Sequence, residues 1–291
     1  MILIEIIKNL FNSIKPETLE RALLEMSNIL RKKVHGDVIS FDGQTKRGTM
    51  DKLANLTGIH LLNAWSADND ICLGQLKVDD KSNEITAVPK LMDSLDLKGT
   101  IITADVLNTQ KTINAKAIEC GADYLLPVKG NQPTLLEEVT SAFQQLDIEQ
   151  AKAKESRDTT SLKKLMDEGS SMCGASFWES LEKGHGRIET RSCTVISAID
   201  LPCRSEWKEL NSIVRLCRER KEGSSDAKKE ISYYITSLQP EAEKIAKVAQ
   251  GFTGGSRINS IGDLMSYLGK ITQDSELKFA GFLSPIFLLL K

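Results

Sequence analysis

Two aspartates, Asp42 and Asp105, each follow a short apolar stretch that is typical of a buried strand, "VISF" at residues 38–41 and "TIITA" at residues 100–104. A strand end places a side chain at the rim of a sheet, where open α/β sheets hold their sites. Two carboxylates from neighbouring strands could hold a hard divalent cation such as Mg²⁺. A pair of such ions can activate a water molecule and stabilise the leaving oxygen of a phosphodiester. An aspartate after a strand is also a common turn or cap residue, so both interpretations stay open at this point.

Other phosphate chemistries fit the sequence less well. The segment "DGQT", residues 42–45, is similar to the nucleophile motif of haloacid-dehalogenase-type phosphatases, but Gln44 stands where that motif requires a second aspartate. The chain contains no G-x-x-x-x-G-K-[ST] phosphate loop. Its three histidines are scattered, with no serine or cysteine nucleophile signature around them. A metal-dependent phosphatase that acts on small esters stays as an alternative of a different class.

The overall charge indicates no preference for nucleic acid. The 38 basic and 40 acidic residues of the 291-residue chain nearly cancel. A protein that coats DNA with its whole surface is therefore disfavoured, whereas an enzyme that contacts DNA through a local basic patch is not. At this length, one large domain and two small ones are both compatible with the sequence.

Cysteine usage and the terminal segments favour a cytoplasmic protein. The six cysteines form no C-x-x-C pair and only three histidines are present, so we expect free thiols in a reducing compartment and no zinc site. The first residues include Glu5 and no small-residue cleavage site, which is untypical of a signal peptide. The apolar residues 279–291 are too few to span a bilayer, and Pro285 interrupts them. We therefore expect no membrane partner.

The order of predicted elements indicates a mixed sheet with helices on both faces, because antiparallel strands come first and a β-α-β-α run follows. Pro16 could open the first helix, whose end is basic, and Ser82 or Asn83 could cap a helix that begins at Glu84. Residues 145–182 are charged, rich in serine and poor in strand formers, so we expect an insertion or a mobile connection there. The further predicted strands are 59–67, 72–78, 123–128, 187–198, 212–220 and 231–238, and the further predicted helices are roughly 109–120, from Thr134 onward, and 240–250.

Five segments, in order, resemble successive motifs of bacterial insertion-sequence transposases of the DDE type, in the group that includes the H-repeat-associated proteins. They are "FDGQTKRG" (41–48), "VDDKSNEITAVPKLMDSLDLKGTIITADVLNTQK" (78–111), "ADYLLPVKGNQPTL" (122–135), "GHGRIETRSC" (184–193) and "YYITSL" (233–238). The resemblance covers roughly residues 8–250. It implies an α/β, ribonuclease H-like fold in which metal-bound carboxylates, with Mg²⁺ or Mn²⁺, cut and rejoin DNA. Asp42 would be the first of these acids and Asp105 the second.

The same resemblance suggests residues that contact DNA, each with an ordinary alternative. Lys46 and Arg47 would direct positive charge toward DNA, or they are solvated surface charges. Lys129, Asn131 and Gln132 would hold a phosphate, or they form a plain turn. The implied partners are DNA, at transposon ends and at a target, and either a second copy of this chain or intact family copies. The implied location is the nucleoid of a bacterial cytoplasm.

The third acid of the family motif is missing from the sequence. The family carries H-W-x-I-E-N-x-L-H-W-x-L-D-V-x-F-x-E-D after a helix, whereas this chain reads "GFTGGSRINSIGDLMSYLGKITQDS" at residues 251–275. Codons that fit this stretch can spell the family motif when they are read one base out of frame. The codons of Thr253 and Gly254, with the preceding base, can then encode His-Trp, and those of Ser256 and Arg257 can contain the glutamate codon. We therefore hypothesise a frameshift near residue 252. We expect residues 1–34 to be an N-terminal helical remnant of a truncated chain, residues 35–250 the core, and residues 251–291 an out-of-frame tail.

The missing acid leaves two hypotheses for the activity of this chain. In the first, the chain is an inactive transposase, a non-catalytic DNA-binding remnant or an interfering partner of intact copies. In the second, it is a metal-dependent nuclease that uses a substitute acid, for which Glu84 and Glu189 are the candidates. Glu84 has an ordinary alternative, because acidic residues are favoured in the first turn of a helix.

Overall fold

The computed structural model describes residues 16–46, 59–78, 84–105, 109–155, 175–184, 187–222 and 227–253. These residues form five α-helices, nine strands and a short 3-10 helix at Pro202–Glu206. The helices are α1 (Pro16–Leu30), α2 (Glu84–Asp93), α3 (Lys111–Glu119), α4 (Pro133–Glu155) and α5 (Ala242–Thr253). The strands are β1 (Val38–Lys46), β2 (Ile59–Ser66), β3 (Ile71–Val78), β4 (Ile101–Ala104), β5 (Asp123–Val128), β6 (Ser176–Gly184), β7 (Arg187–Ser197), β8 (Ser212–Glu222) and β9 (Lys228–Thr236).

The nine strands form one mixed sheet in the order β3-β2-β1-β4-β5-β9-β8-β7-β6. β1, β4 and β5 run parallel to one another, and the other neighbouring pairs are antiparallel. The buried residues of the parallel strands are apolar except for Thr103 of β4, because both faces of the sheet are covered there. The mixed sheet that the order of elements predicted is therefore confirmed.

The side chains of the sheet build two hydrophobic cores, one on each face. On one face Ile39 and Ile102 pack with residues of α2, α3 and α4, and Leu24 of α1 packs against the same core. On the other face Val38 and Ile101 pack with residues of α5. Because successive side chains of a strand point to opposite faces, β1 and β4 contribute to both cores. We call the second face the α5 face.

Helix α5 crosses the α5 face from the β6 end of the sheet toward β1. Its first amide, that of Ala242, donates a hydrogen bond of 2.9 Å to Ser176 Oγ in β6. The helix also packs against β7 and β1. One stripe of the helix is buried at amphipathic spacing and consists of Ala242, Ile245, Ala246, Val248 and Ala249.

A buried carboxylate fixes the start of β1. Asp37 has no exposed surface, and it accepts hydrogen bonds from Ser66 Oγ at 2.8 and 2.9 Å and from Asn69 Nδ2 at 3.2 Å. Arg31 Nη2, which follows α1, lies 3.4 Å from Asp37 Oδ2. These contacts tie α1 and the β2-β3 hairpin to β1, which gives Asp37 a structural role.

One expectation about a helix end is wrong. No basic residue lies in the last turn of α1, because the helix ends at Leu30 and Arg31 instead donates to Asp37 and to the carbonyl oxygen of Asp96. A second difference is that regular elements reach into residues 145–182, because α4 continues to Glu155 and β6 begins at Ser176. The insertion expected in this stretch stays a prediction.

The physical reasons for this second difference lie in the core and at the sheet edge. Val139, Phe143 and Leu146 of α4 are buried at helical spacing, which carries the helix into the charged stretch. β6 is the last strand of the sheet, and charged side chains are common on such edge strands. Residues 156–174 lie outside the described residues, as do residues 1–15 and the expected out-of-frame tail beyond Thr253.

Five of the six cysteines lie in the described ranges. The cysteines there, Cys72, Cys120, Cys193, Cys203 and Cys217, are free thiols. Burial raises the pKa of Cys193 and Cys203 to about 12, so these two thiols stay protonated. None of the helices in the described part of the chain combines the length and the apolar character that a bilayer crossing requires.

Candidate active site

Asp42 belongs to β1 and Asp105 directly follows β4, and these two strands are parallel neighbours. β1 pairs with β4 in a register that sets Phe41 opposite Ala104. The same register, continued by one residue, sets Asp42 opposite Asp105. Neighbouring strands lie about 4.8 Å apart, so two carboxylates on the same face can reach a common ion.

Both aspartates belong to the α5 face of the sheet. Val38 in β1 and Ile101 in β4 pack in the core under α5. Asp42 comes four residues after Val38, and Asp105 four residues after Ile101. Because side chains alternate between the faces along a strand, an even separation keeps a residue on the same face.

The two aspartates reach the rim of the parallel strands in different ways. β4 ends at Ala104, so Asp105 follows its strand as expected. β1 continues to Lys46 in a ladder with β2, so the expectation that Asp42 ends its strand is wrong. β4 ends at Ala104, opposite Phe41, so Asp42 lies just beyond the end of the β1-β4 pairing although its own strand continues.

A cleft of about 270 Å³ opens beside Asp105 on the α5 face, and we call it the α5 cleft. One wall comes from α5 and the other from the ends and faces of β5, β7, β8 and β9. Residues of both walls include Lys129, Arg191, Arg218, Glu230, Ala249 and Gln250.

The polar turn after β5 contributes one residue to this cleft. Lys129 is exposed and lines the α5 cleft together with Asp105. Asn131 is exposed as well. Gln132 has a structural contact, because its Nε2 donates to the carbonyl oxygen of Thr109 at 3.0 Å and so ties this turn to the segment before α3.

Of three further residues suggested by the sequence, two have described positions in the fold and one lies outside the described residues. Lys46 is the last residue of β1, and Arg47 lies outside the described residues. Glu84 is the first residue of α2, which packs on the face opposite to α5 through residues such as Val88 and Met92.

Glu189 in β7 is surrounded by three arginines that sequence reasoning did not identify. Its carboxylate lies 2.6 Å from Arg191 Nη2, 2.8 Å from Arg218 Nε and 3.3 Å from Arg220 Nε, and its side chain is only 3% exposed. The hydrogen bond from Arg218, followed by that from Arg191, holds the pKa of Glu189 down at about 2. The signal was present in the alternating charges of "RIETR" and "RLCRER", which place every second residue on one face.

Glu189 and Asp105 are widely separated across the sheet. β4 and β7 are four strand positions apart, which corresponds to about 19 Å at about 4.8 Å per strand. Ligands of one metal site must approach the same ion within about 2.5 Å.

The donors at Asp42 and Asp105 fit a hard divalent cation. Carboxylate oxygens are the ligands that Mg²⁺ prefers, and this ion is usually held by one or two carboxylates and several waters. Within the described ranges, no group of three or more His, Cys, Asp or Glu side chains is arranged to hold a metal ion. Asp42 and Asp105 would therefore supply two carboxylate ligands, which agrees with the one or two that usually hold Mg²⁺.

Comparison with known proteins identifies the family. The profile described as "Transposase DDE domain" matches residues 34–251. The chain belongs to the DDE transposase family. Membership implies dependence on divalent metal ions in general, and the mixed sheet flanked by helices is a ribonuclease H-like fold.

Relatives of this transposase-family chain cover most of its length. YncI of Escherichia coli O157:H7, whose name describes it as a candidate transposase, is 36% identical over 234 residues, which are 78% of this chain and 54% of that protein. The H repeat-associated protein YhhI of Escherichia coli K12 is 35% identical over 72% of this chain and 51% of its own length. A protein from the dhlA 3′ region of Xanthobacter autotrophicus is 32% identical over 78% of this chain and 69% of its own length. The chain therefore spans about half the length of the first two relatives.

Proposed function

We propose that this chain is a DDE transposase domain that binds Mg²⁺ or Mn²⁺ between Asp42 and Asp105 and DNA in the α5 cleft. The observation that carries the proposal is the β1-β4 register, which brings two carboxylates together on one face beside a cleft. The proposed partners are transposon-end and target DNA, together with a second copy or intact family copies. The proposed core is residues 35–250, in a nucleoid-associated protein.

The chemistry of such a site is phosphodiester cleavage and strand transfer. A divalent ion at this site would supply activation of the attacking hydroxyl and neutralisation of charge on the phosphate. Asp42 and Asp105 would hold such an ion from two rigid strands, which would limit its movement. Lys129, which lines the same cleft as Asp105, offers an ammonium group to a phosphate oxygen of the DNA.

The course of α5 supports the frameshift hypothesis for the missing third acid. Ala246 and Gln250 line the α5 cleft. In the neighbouring frame, the glutamate of the family motif falls at the position of Arg257. Positions seven residues apart share one face of a helix, so a continued α5 would present position 257 on the same face as Gln250. The family match also ends at residue 251, next to the proposed change of frame.

As it stands, the chain is proposed to bind metal and DNA without completing the reaction. Neither candidate substitute acid lies beside Asp42 and Asp105. Glu189 is held by arginines about 19 Å across the sheet from Asp105, and Glu84 begins a helix on the opposite face. An assay of supercoiled plasmid with Mn²⁺ tests this proposal. We expect nicking by the purified chain to equal that of its Asp105→Ala variant. Nicking that disappears in the Asp105→Ala variant would show an active enzyme and refute the inactive state.

The frame hypothesis has its own test at the level of the gene. We expect the neighbouring frame of codons 245–291 to encode the His-Trp, Glu-Asn and His-Trp elements of the family motif. A neighbouring frame without them would refute the frameshift, and residues 251–291 would then be a divergent ending of the protein.

A further inference from the structure

The arginines around Glu189 form a compact charged surface on the α5 face of β7 and β8. We call Arg191, Arg218 and Arg220, together with Glu189, the arginine cluster. In the ladder, Arg220 is opposite Glu189 and Arg218 is opposite Arg191. All four therefore project from the same face of two adjacent strands.

This cluster carries more positive charge than its own carboxylate can neutralise. One carboxylate stands against three guanidinium groups. Glu182 lies 3.7 Å from Arg191 Nη1, while Glu230 is opposite Arg218 and Lys228 is opposite Arg220 in the neighbouring strand. The strands around the cluster add Lys228 and three glutamates, Glu182, Glu222 and Glu230, so the local excess of positive charge is confined to the three guanidiniums that share Glu189.

The arginines are fixed on one side and accessible on the other. Glu189 engages the Nε of each guanidinium, with distances of 2.7 Å to Arg191, 2.8 Å to Arg218 and 3.3 Å to Arg220. A guanidinium offers five N–H donors, more than one shared carboxylate takes up. The three side chains are 29%, 39% and 36% exposed, in the same order. Such pre-oriented, partly exposed guanidiniums suit planar recognition of a phosphate.

We propose that the arginine cluster binds backbone phosphates of DNA across the α5 cleft from Asp105, with Glu189 as the positioning residue that holds the three guanidiniums. This inference rests on the proposed function, since it takes DNA as the ligand of the cleft. Arg191 and Arg218 line the cleft together with Asp105.

The distance to Asp105 defines what the cluster does. β8 and β7 lie three and four strand positions from β4, which is about 14 and about 19 Å at about 4.8 Å per strand. At about 3.4 Å per base pair, these lengths correspond to about four to six base pairs of duplex DNA. The cluster therefore contacts DNA that flanks the phosphate at the metal site, and it contributes affinity and register but no chemistry.

The test is the salt dependence of DNA binding by the full chain, measured by fluorescence anisotropy with a labelled duplex of about 30 base pairs. Each phosphate contact contributes close to one unit to the slope of log K against log salt. We expect Arg218→Ala and Arg191→Ala each to weaken binding several-fold at about 0.1 M salt and to reduce the slope by about one. The matched control is Lys221→Ala, because Lys221 is an exposed cation of the same strand whose position places it on the opposite face.

Three results would contradict the inference in distinguishable ways. Equal effects of Arg218→Ala and Lys221→Ala would mean a diffuse charge effect and would overturn the arginine cluster as a site. Binding by the unaltered chain with an unchanged slope in both arginine variants would overturn it as well and leave the proposed function intact. A chain that does not bind DNA at any salt concentration would overturn both proposals.

A variant of Glu189 separates positioning from simple charge. Glu189→Gln removes a negative charge, so electrostatics alone would tighten DNA binding. The positioning role predicts the opposite sign, a several-fold weaker affinity, because the guanidiniums lose the carboxylate that holds them. Tighter binding by a folded Glu189→Gln variant, with folding checked by circular dichroism, would overturn the positioning role. Glu189→Asp, which keeps the charge, should retain more affinity than Glu189→Gln.

Discussion

Asp105 and Glu189 are both acids on the α5 face, and their surroundings differ. Asp105 follows a short, buried parallel strand and is exposed, and the β1-β4 register, continued by one residue, sets Asp42 opposite it. Glu189 lies within an antiparallel ladder, is 3% exposed, and has three arginines around it. One acid has a like charge as its neighbour on the adjacent strand, and the other has opposite charges.

We expect this difference to decide which cation each acid binds. Two carboxylates on neighbouring strands can share a divalent metal ion, whose charge offsets their mutual repulsion. A carboxylate that already accepts hydrogen bonds from guanidiniums gains little from a metal and would have to exchange those partners. The β1-β4 region is thus suited to hold a metal, and the β7-β8 extension is suited to present arginines.

The largest expected effect concerns the third acid, which the frameshift hypothesis assigns to a continued α5. A gene restored to the family frame after codon 252 should encode a chain that nicks plasmid DNA with Mn²⁺ at least about 10²-fold faster than the present chain, because the third carboxylate completes the site. The control is the same restored chain with Asp105→Ala. Restored chains that nick no faster, although they fold, would contradict the role given to α5.

The second effect separates the two acids by metal affinity. Asp105→Asn should weaken Mn²⁺ binding, measured by isothermal titration calorimetry, by about tenfold or more, since loss of even an outer partner of a metal site costs about that much. Glu189→Gln should leave Mn²⁺ affinity unchanged. If Glu189→Gln weakened Mn²⁺ binding as much as Asp105→Asn, the substitute-acid hypothesis would replace ours.

The third effect is the pH dependence of stability at Glu189. The arginines lower the pKa of Glu189 from 4.5 to about 2, so ionised Glu189 stabilises the fold above about pH 4.5 and this contribution is lost as the pH falls toward 2. The melting temperature of the unaltered chain should therefore exceed that of Glu189→Gln at pH 6, and the gap should narrow between pH 4.5 and pH 2. A gap independent of pH would show that the ion pairs do not stabilise the fold.

The smallest effect lies on the opposite face of β8. Arg215 binds both carboxylate oxygens of Asp147 in α4, at 2.7 and 2.9 Å, and stacks over the Phe143 ring at 5.0 Å. Because this pair is partly exposed, Arg215→Gln should cost only about 1 kcal/mol in a urea unfolding experiment. The salt slope of DNA binding should stay the same, and a lower slope would show that DNA contact is not confined to the α5 face.

Much of the fold follows from local patterns in the sequence. The apolar runs predicted β4 and β5, and the predicted strands 59–67 and 72–78 correspond to β2 and β3, because these signals depend on a few consecutive residues. The end of α4 and the strand β6 were missed because burial of Leu146 and the edge position of β6 are set by the whole sheet. The pairing of Asp42 with Asp105 also depends on the register of β1 and β4, which the sequence does not contain.

The charged cluster was missed for a related reason. The alternation of arginine and glutamate in β7 and β8 is visible in the sequence, but only the β7-β8 register brings Arg218 and Arg220 to Glu189. Taken alone, each stretch looks like an ordinary solvated strand. Glu189 was therefore predicted as a substitute metal ligand, and this prediction stays open to the experiments above.

The most direct test of the metal site is an anomalous difference map from crystals of the full chain soaked in Mn²⁺. Our account predicts a peak between Asp42 and Asp105, within about 2.5 Å of a carboxylate oxygen of each, and no peak at Glu189. A peak at Glu189, or the absence of any peak between the two aspartates at saturating Mn²⁺, would contradict it.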